Sequence, residues 1–260
     1  MPPESKPLVY LILGAPGSGR REVLADLIEA GLEETDRPAV MLEAGEADDP
    51  ADARLPRLTR WTWQGEFIEG TLPAEAGPVF FVTSSRANPV DQIEVFRAWL
   101  EAQGGELARV ICVANCALAE KHPPLLSWYD ACVHFSDVML LNRREGVPNK
   151  WVSDFLKHFE GQFLPCLFET VKAGKVRNPR LVLDPQARRL THVFDGDDQW
   201  IFHDADGEEI DEQDEVDDED EVEATLEEDP YFIKDAAGRR QKRIPEIGKY
   251  LDGGSENLKS

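Results

Sequence analysis

The stretch Leu8 to Leu32, LVYLILGAPGSGRREVLADLIEAGL, constrains the fold more than any other part of the chain. An apolar run, a glycine-rich turn and an amphipathic segment follow one another, which predicts a buried strand, a tight loop and a helix. Glycines at positions 14, 17 and 19 let such a loop turn its N–H groups inward, and the helix that follows aims the positive end of its dipole at the loop. Gly14 and Gly19 match the spacing G-x-x-x-x-G-K-[ST], with Arg20 at the lysine position and Arg21 at the hydroxyl position. Gly14, Ala15, Pro16, Gly17, Ser18, Gly19, Arg20 and Arg21 are therefore the candidate anion-binding residues. Two arginines in a first helical turn oppose the dipole unless an anion offsets them, so something negative is expected beside them. Arg20 retains the charge and the donors for phosphate, but Arg21 supplies no hydroxyl for a magnesium ion.

The rest of the chain reads as strands alternating with helices. Strands are expected at Ala39–Gly45, Val79–Ser84, Ala108–Asn115 and Val138–Asn142, the last three as continuous apolar runs suited to a parallel sheet covered on both faces. Helices are expected from the Asn88-Pro89 cap to Gly104, over His122–Phe135, and after Pro148. Ala47–Arg60 reads as an irregular polar connection. Trp61, Trp63 and Phe67 alternate as in a strand or hairpin with one buried face, and Val176–Phe194 reads as strand, turn and strand. The fold class that follows is α/β, a doubly wound, mostly parallel sheet with helices on both faces. In that architecture a ligand sits at the carboxyl ends of the strands. Thr83, Ser84, Ser85 and Arg86, then Asn115, then Asn142, Arg143, Arg144 and Glu145 occupy those ends, and five arginines are expected on one rim.

Composition bears on what this rim can bind. The formal charge of −23 argues against nucleic acid as a partner, but seventeen acidic and no basic residues lie between Asp204 and Asp229, so the acidity belongs mainly to one segment. The expected organisation is one domain over residues 1–200, an acidic disordered segment over 201–229, and a short docking element over 230–260. Tyr231, Phe232, Ile247, Tyr250 and Leu251 supply the apolar face of that element, beside the basic group Arg239, Arg240, Lys242 and Arg243. The acidic tract is also a candidate competitor for the arginine rim. The four cysteines form no paired framework, the five histidines show no ligand spacing, and no run of eighteen apolar residues occurs. A cytoplasmic protein without a metal centre and without membrane contact is expected.

With the strand ends laid out, the chain resembles the CobW-type P-loop GTPases, a family linked to cobalamin biosynthesis and metal delivery, over roughly Pro7 to Phe159. GAPGSGRRE is similar to the family's phosphate loop, FFVTSSRANPVDQIEVF to the segment after its Walker B strand, and FSDVMLLNRREGV to the stretch ending in the guanine-reading N-K-x-D motif. RVICVANCAL falls where the family has a further core strand. The resemblance implies a P-loop NTPase fold that binds a purine nucleotide, GTP favoured, through the loop together with Thr83, Ser84, Asn142, Arg143 and Glu145. The departures imply weak or absent hydrolysis: Arg21 replaces the magnesium-binding hydroxyl, Val82 replaces an acidic residue and Ser85 a glycine. Magnesium is thus in doubt, and no catalytic residue is assigned. The family's C-x-C-C metal motif is absent, its place taken by TRWTWQGEF. GAPGSG alone also looks like the phosphate loop of adenylate kinases, without their arginine-rich lid or downstream spacing. The alternative to a nucleotide-binding role is a scaffold that acts through an unidentified protein partner of its acidic or C-terminal tail.

Overall fold

The computed structural model describes residues 6–64, 66–195, 200–203, 223–226 and 228–251. It divides into two compact units, residues 1–190 with 244–260, and residues 191–243.

The first unit is built on a nine-stranded sheet. The elements run β1 (Leu8–Gly14), α1 (Arg20–Gly31), β2 (Ala39–Glu43), β3 (Thr59–Trp63), β4 (Ile68–Glu69), β5 (Val79–Val82), α2 (Pro89–Ala102), β6 (Glu106–Asn115), α3 (Cys116–Lys121), α4 (Leu126–Phe135), β7 (Val138–Asn142), α5 (Asn149–Glu160), β8 (Leu167–Lys172), β9 (Lys175–Val176) and α6 (Pro179–Leu183). The strand order is β4-β3-β2-β5-β1-β6-β7-β8-β9. All pairings from β3 to β8 are parallel, and only the short edge strands β4 and β9 run antiparallel to their neighbours. This is the doubly wound, mostly parallel sheet expected from the alternation of elements.

Strand parity explains why helices cover both faces. Tyr10, Ile12, Val40, Leu42, Phe80, Val82, Ile111 and Val113 point to one side and join Val23, Leu24, Leu27 and Ile28 of α1 with Val182 and Leu183 of α6 in one core cluster. Residues of the opposite parity build an aromatic layer, in which Phe81 lies 4.6 Å from Trp61, 5.0 Å from Phe96 and 4.9 Å from Trp99 between ring centroids. Strands buried on both faces require near-continuous apolar sequence, the pattern seen in VYLILG and VFFV. At the centre, β1 lies between β5 and β6, so its carboxyl end opens where the strand order reverses.

Three expectations need correction. Val176–Phe194 holds a helix rather than a second strand: Asn178 accepts the Leu181 N–H at 3.4 Å and Pro179 occupies the first position of α6. Arg109 from β6 then donates to the carbonyls of Leu181 and Val182, groups that a helix end leaves unpaired. The Trp61 hairpin forms as β3 and β4 with Trp61 buried, yet Phe67 falls in the turn and is 59% exposed. The expected helix from His122 is divided, with a 3-10 turn at Pro123–Leu125 before α4. Strand β8 was not anticipated; LFETVK carries no continuous apolar run because only Val171 is buried.

Ile247 is buried and Tyr250 stands 5.3 Å from the His122 ring, so part of the C-terminal element belongs to the first unit. The second unit contains a two-stranded antiparallel hairpin, β10 (Trp200–His203) with β11 (Glu223–Leu226). In its later part Lys242 sits over the Tyr231 ring at 4.4 Å and Arg240 over Phe232 at 5.6 Å. Most of the acidic segment expected to be disordered over 201–229, and to compete for the arginine rim, lies outside the described residues; the parts inside them are 201–203 in β10, 223–226 in β11, and 228–229.

Candidate functional site

The turn between β1 and α1 is shaped by its glycines. Gly17 and Gly19 have φ of 68° and 77°, the left-handed region that favours glycine. Gly19 also has no room for a side chain, because a Cβ there would come within 2.8 Å of Asn142 Nδ2 and 2.9 Å of Arg143 Nη2. Those neighbours hold the loop from outside. Asn142 donates to the Ser18 carbonyl at 2.8 Å, Asn115 donates to the Pro16 carbonyl at 3.1 Å, and Arg143 Nε donates to the Gly17 carbonyl at 3.1 Å. With its carbonyls tied back to the ends of β6 and β7, the loop presents its other face to a cleft of about 510 Å³. That cleft lies over the first turn of α1, where N–H groups have no partner inside the helix.

Ala15, Pro16, Gly17, Ser18, Gly19, Arg20, Arg21, Ser84, Ser85, Arg86 and Arg143 line the cleft together. Four of the five expected rim arginines are therefore gathered. The exception is Arg144, which turns away and points its Nη2 to the Val171 carbonyl at 3.5 Å. Gly14 ends β1, and Thr83 is buried with its hydroxyl donating to the Ile12 carbonyl at 3.0 Å, so both support the loop from behind. Asn142 likewise serves as a tie to the loop, and Glu145 is exposed and is not among the residues lining the cleft. Arg143 adopts φ 52° directly after β7, a turn that aims its side chain back over the loop, where Nη2 meets Glu22 at 2.9 Å.

The expectation of an anion beside the paired arginines is met from within the chain. Glu46, three residues beyond β2, reaches into the cleft. One oxygen accepts from Arg20 Nη2 at 2.7 Å and from the Ser85 N–H at 2.8 Å, and the other accepts from Arg21 Nη2 at 3.1 Å. Arg20 Nη1 donates to the Thr83 carbonyl at 2.6 Å. Arg21 Nη1 donates to Asp52 at 3.0 Å and to the Ala47 carbonyl at 2.8 Å. Asp52 belongs to a 3-10 turn, Pro50–Arg54, started by an Asp49 cap. Burial alone would raise the Glu46 pKa, but the charge of Arg20 and the hydrogen bonds from Ser85 and Arg20 outweigh it and hold the carboxyl at about 2. Burial lowers the pKa of Arg20, against the opposing pull of Glu46.

Asp52 lies in the polar connection read as irregular surface, and Glu46 immediately before it. The signal for them was present but undirected: two buried cations at a helix start demand counter-charge, and EAGEADDPAD offers five carboxylates without saying which turns inward. The lining therefore contains Glu22, Glu43, Glu46, Asp48 and Asp49 besides its four arginines. The rim thus carries acidic side chains among the arginines expected there. One lining group stays unsatisfied, since Ser18 Oγ is buried without a hydrogen-bond partner.

The donor set does not fit a magnesium ion. A guanidinium stands where the loop would offer a hydroxyl, and the carboxylates that meet it, Glu46 and Asp52, are bound to arginines. Among the described residues no group of three or more His, Cys, Asp or Glu is placed to hold a metal, and no helix is long and apolar enough to cross a membrane.

A glycine loop joining the central strand of a parallel sheet to the helix behind it defines the chain as a phosphate-loop α/β protein. No protein-family model matches the sequence, and no curated protein matches it. Among solved structures it is similar to the zinc-bound YjiA GTPase of E. coli, at 14% identity and a TM-score of 0.41, covering 77% of this chain and 72% of that one. The chain is also similar to cell division protein FtsY of Thermotoga maritima, at 14% identity and a TM-score of 0.41 over 70% of this chain and 69% of that one. A LAO/AO transport system kinase matches at 16% identity and a TM-score of 0.37, over 64% and 53%. At these identities and scores the likeness says nothing about ligand or activity.

Proposed function

We propose that this chain is a cytoplasmic, purine-nucleotide-binding protein of the phosphate-loop fold that hydrolyses its ligand slowly or not at all. The observation that carries the reading is the cleft over the first turn of α1, with its N–H groups and the orphaned Ser18 hydroxyl beside Arg20 and Arg21. A phosphate group matches that donor set. Slow or absent turnover is supported by the replacement of the magnesium hydroxyl by Arg21 and by the engagement of Glu46 and Asp52, the carboxylates that meet it, in ion pairs. The preference for GTP rests on the sequence resemblance alone. The four cysteines are free and buried, in keeping with a reducing compartment.

A second reading, a scaffold without nucleotide, is favoured by one observation: Glu46 already satisfies both arginines. Calorimetric titration with GTP and ATP, each with and without Mg²⁺, separates the two. Saturable binding that is indifferent to Mg²⁺ is expected, with GTP tighter than ATP and turnover at or near the uncatalysed rate. Absence of binding by either nucleotide at millimolar concentration would leave the scaffold.

A further inference from the structure

We infer that Glu46 is a built-in competitor for the phosphate cradle, a displaceable carboxylate that an incoming phosphate must drive off Arg20, Arg21 and the Ser85 N–H. The inference rests on the nucleotide-binding reading above and concerns how that same site is regulated.

Three donors from two separate segments, the first turn of α1 and the loop after β5, converge on this one carboxylate. They are the kind of donors that a phosphate oxygen accepts from, so Glu46 and a phosphate exclude one another by charge and by space. The carboxylate is an incomplete substitute, because Ser18 Oγ in the same lining remains unpartnered. A phosphate carries more acceptor oxygens and can take that hydroxyl as well.

The segment that carries Glu46 is built to leave. Ala44, Gly45, Ala47, Asp48 and Asp49 around it are exposed, and only the Glu46 side chain turns inward. The nearest apolar anchors are Leu42 on one side and Ala51 and Leu55 on the other. Displacement therefore breaks ion pairs but uncovers little apolar surface, and the new ion pairs to phosphate replace the old ones. In the absence of ligand the same pairs keep two buried cations compensated.

The test compares inorganic pyrophosphate and GTP binding to the full chain and to a Glu46→Gln variant by calorimetry. The amide keeps the shape and loses the charge. At least tenfold tighter pyrophosphate binding to the variant is expected, with the same direction for GTP. Equal or weaker binding by a folded variant, while the unaltered protein binds, overturns the competitor role and leaves the nucleotide reading standing. No binding of either probe to either protein overturns both. Because the variant leaves Arg20 without its counter-charge and can lose stability, hydrogen exchange on the unaltered protein gives an independent answer. Saturating pyrophosphate is expected to protect the amides of 17–21 and to speed exchange over 44–54; unchanged exchange over 44–54 at saturation also overturns the inference.

Discussion

Buried arginines and carboxylates meet at both ends of the parallel sheet, with different results. At the carboxyl end, Arg20 and Arg21 are held mainly by Glu46 and Asp52 beside an open cleft. At the amino end, Arg109 is fully buried and donates to the carbonyls of Leu181, Val182 and Gln186, while Asp137, equally buried, accepts from the Val110 and Arg188 N–H groups and meets Arg189 at 3.5 Å. Tyr10 completes that end by donating to the Leu183 carbonyl at 2.6 Å, and burial pushes its phenol up to about 12. The difference lies in the acceptors. Backbone carbonyls of a packed segment cannot be exchanged for a ligand without unfolding that segment, so Arg109 welds residues 179–190 to the sheet. Carboxylates on an exposed segment can be exchanged without such unfolding, which is the premise of the competitor role proposed for Glu46.

The contrast predicts unequal responses to damage. Asp137→Ala strikes the sealed end, leaving the buried Val110 N–H and the part-buried Arg188 N–H without their acceptor, and should cost about 3–5 kcal/mol in urea unfolding while leaving ligand affinity alone. A smaller cost there would mean that the amino end is as loosely held as the other.

The cleft end should show its pairing in the pH dependence of stability. Glu46 has its folded pKa depressed from 4.5 to about 2, so its contribution is fully present above the unfolded value and disappears as pH falls through the folded one. The stability difference between the unaltered chain and Glu46→Gln should therefore be constant above pH ~5 and shrink by up to roughly 3 kcal/mol towards pH ~2. A difference that does not vary with pH would show the Glu46 pairs to be idle.

Arg20→Ala removes the donor closest to the expected phosphate and should weaken pyrophosphate and GTP binding by tenfold or more, equivalent to about 1.4 kcal/mol. Arg109→Lys, tested beside it, should alter unfolding but not binding. The least effect is expected outside both clusters: Arg54 and Glu29 form a two-point pair at 2.9 and 2.7 Å, but both are about half exposed. Arg54→Ala should change stability by less than about 0.5 kcal/mol, since exposed pairs are screened and their side chains ordered at an entropic cost.

Much of the architecture was legible because apolar periodicity is a local property. The runs that became β1, β5, β6 and β7, the Asn88-Pro89 start of α2 and the glycine loop each carry their signal within a few residues. β8 escaped because it lies near the sheet edge and buries one residue, which gives no run to read. α6 escaped because its carbonyls are satisfied by Arg109, about seventy residues away in the chain.

The candidate site divides along the same line. Strand–loop–helix order and glycine spacing determined by themselves the buried strand, the tight turn and the helix, and the sequence alone put two arginines at the positions where the resembled motif has a lysine and a hydroxyl. That placement also required a negative partner for the two arginines, because like charges against a helix dipole in a buried setting cannot stand uncompensated. Which anion answers that requirement is a matter of three-dimensional distance. Only the tertiary structure selected Glu46 and Asp52 from a run of five carboxylates, turned Arg144 away from the rim, and spent Asn115 and Asn142 on loop carbonyls. Charge pairing falls off over a few ångströms, while the sequence places its partners 25 to 126 positions apart.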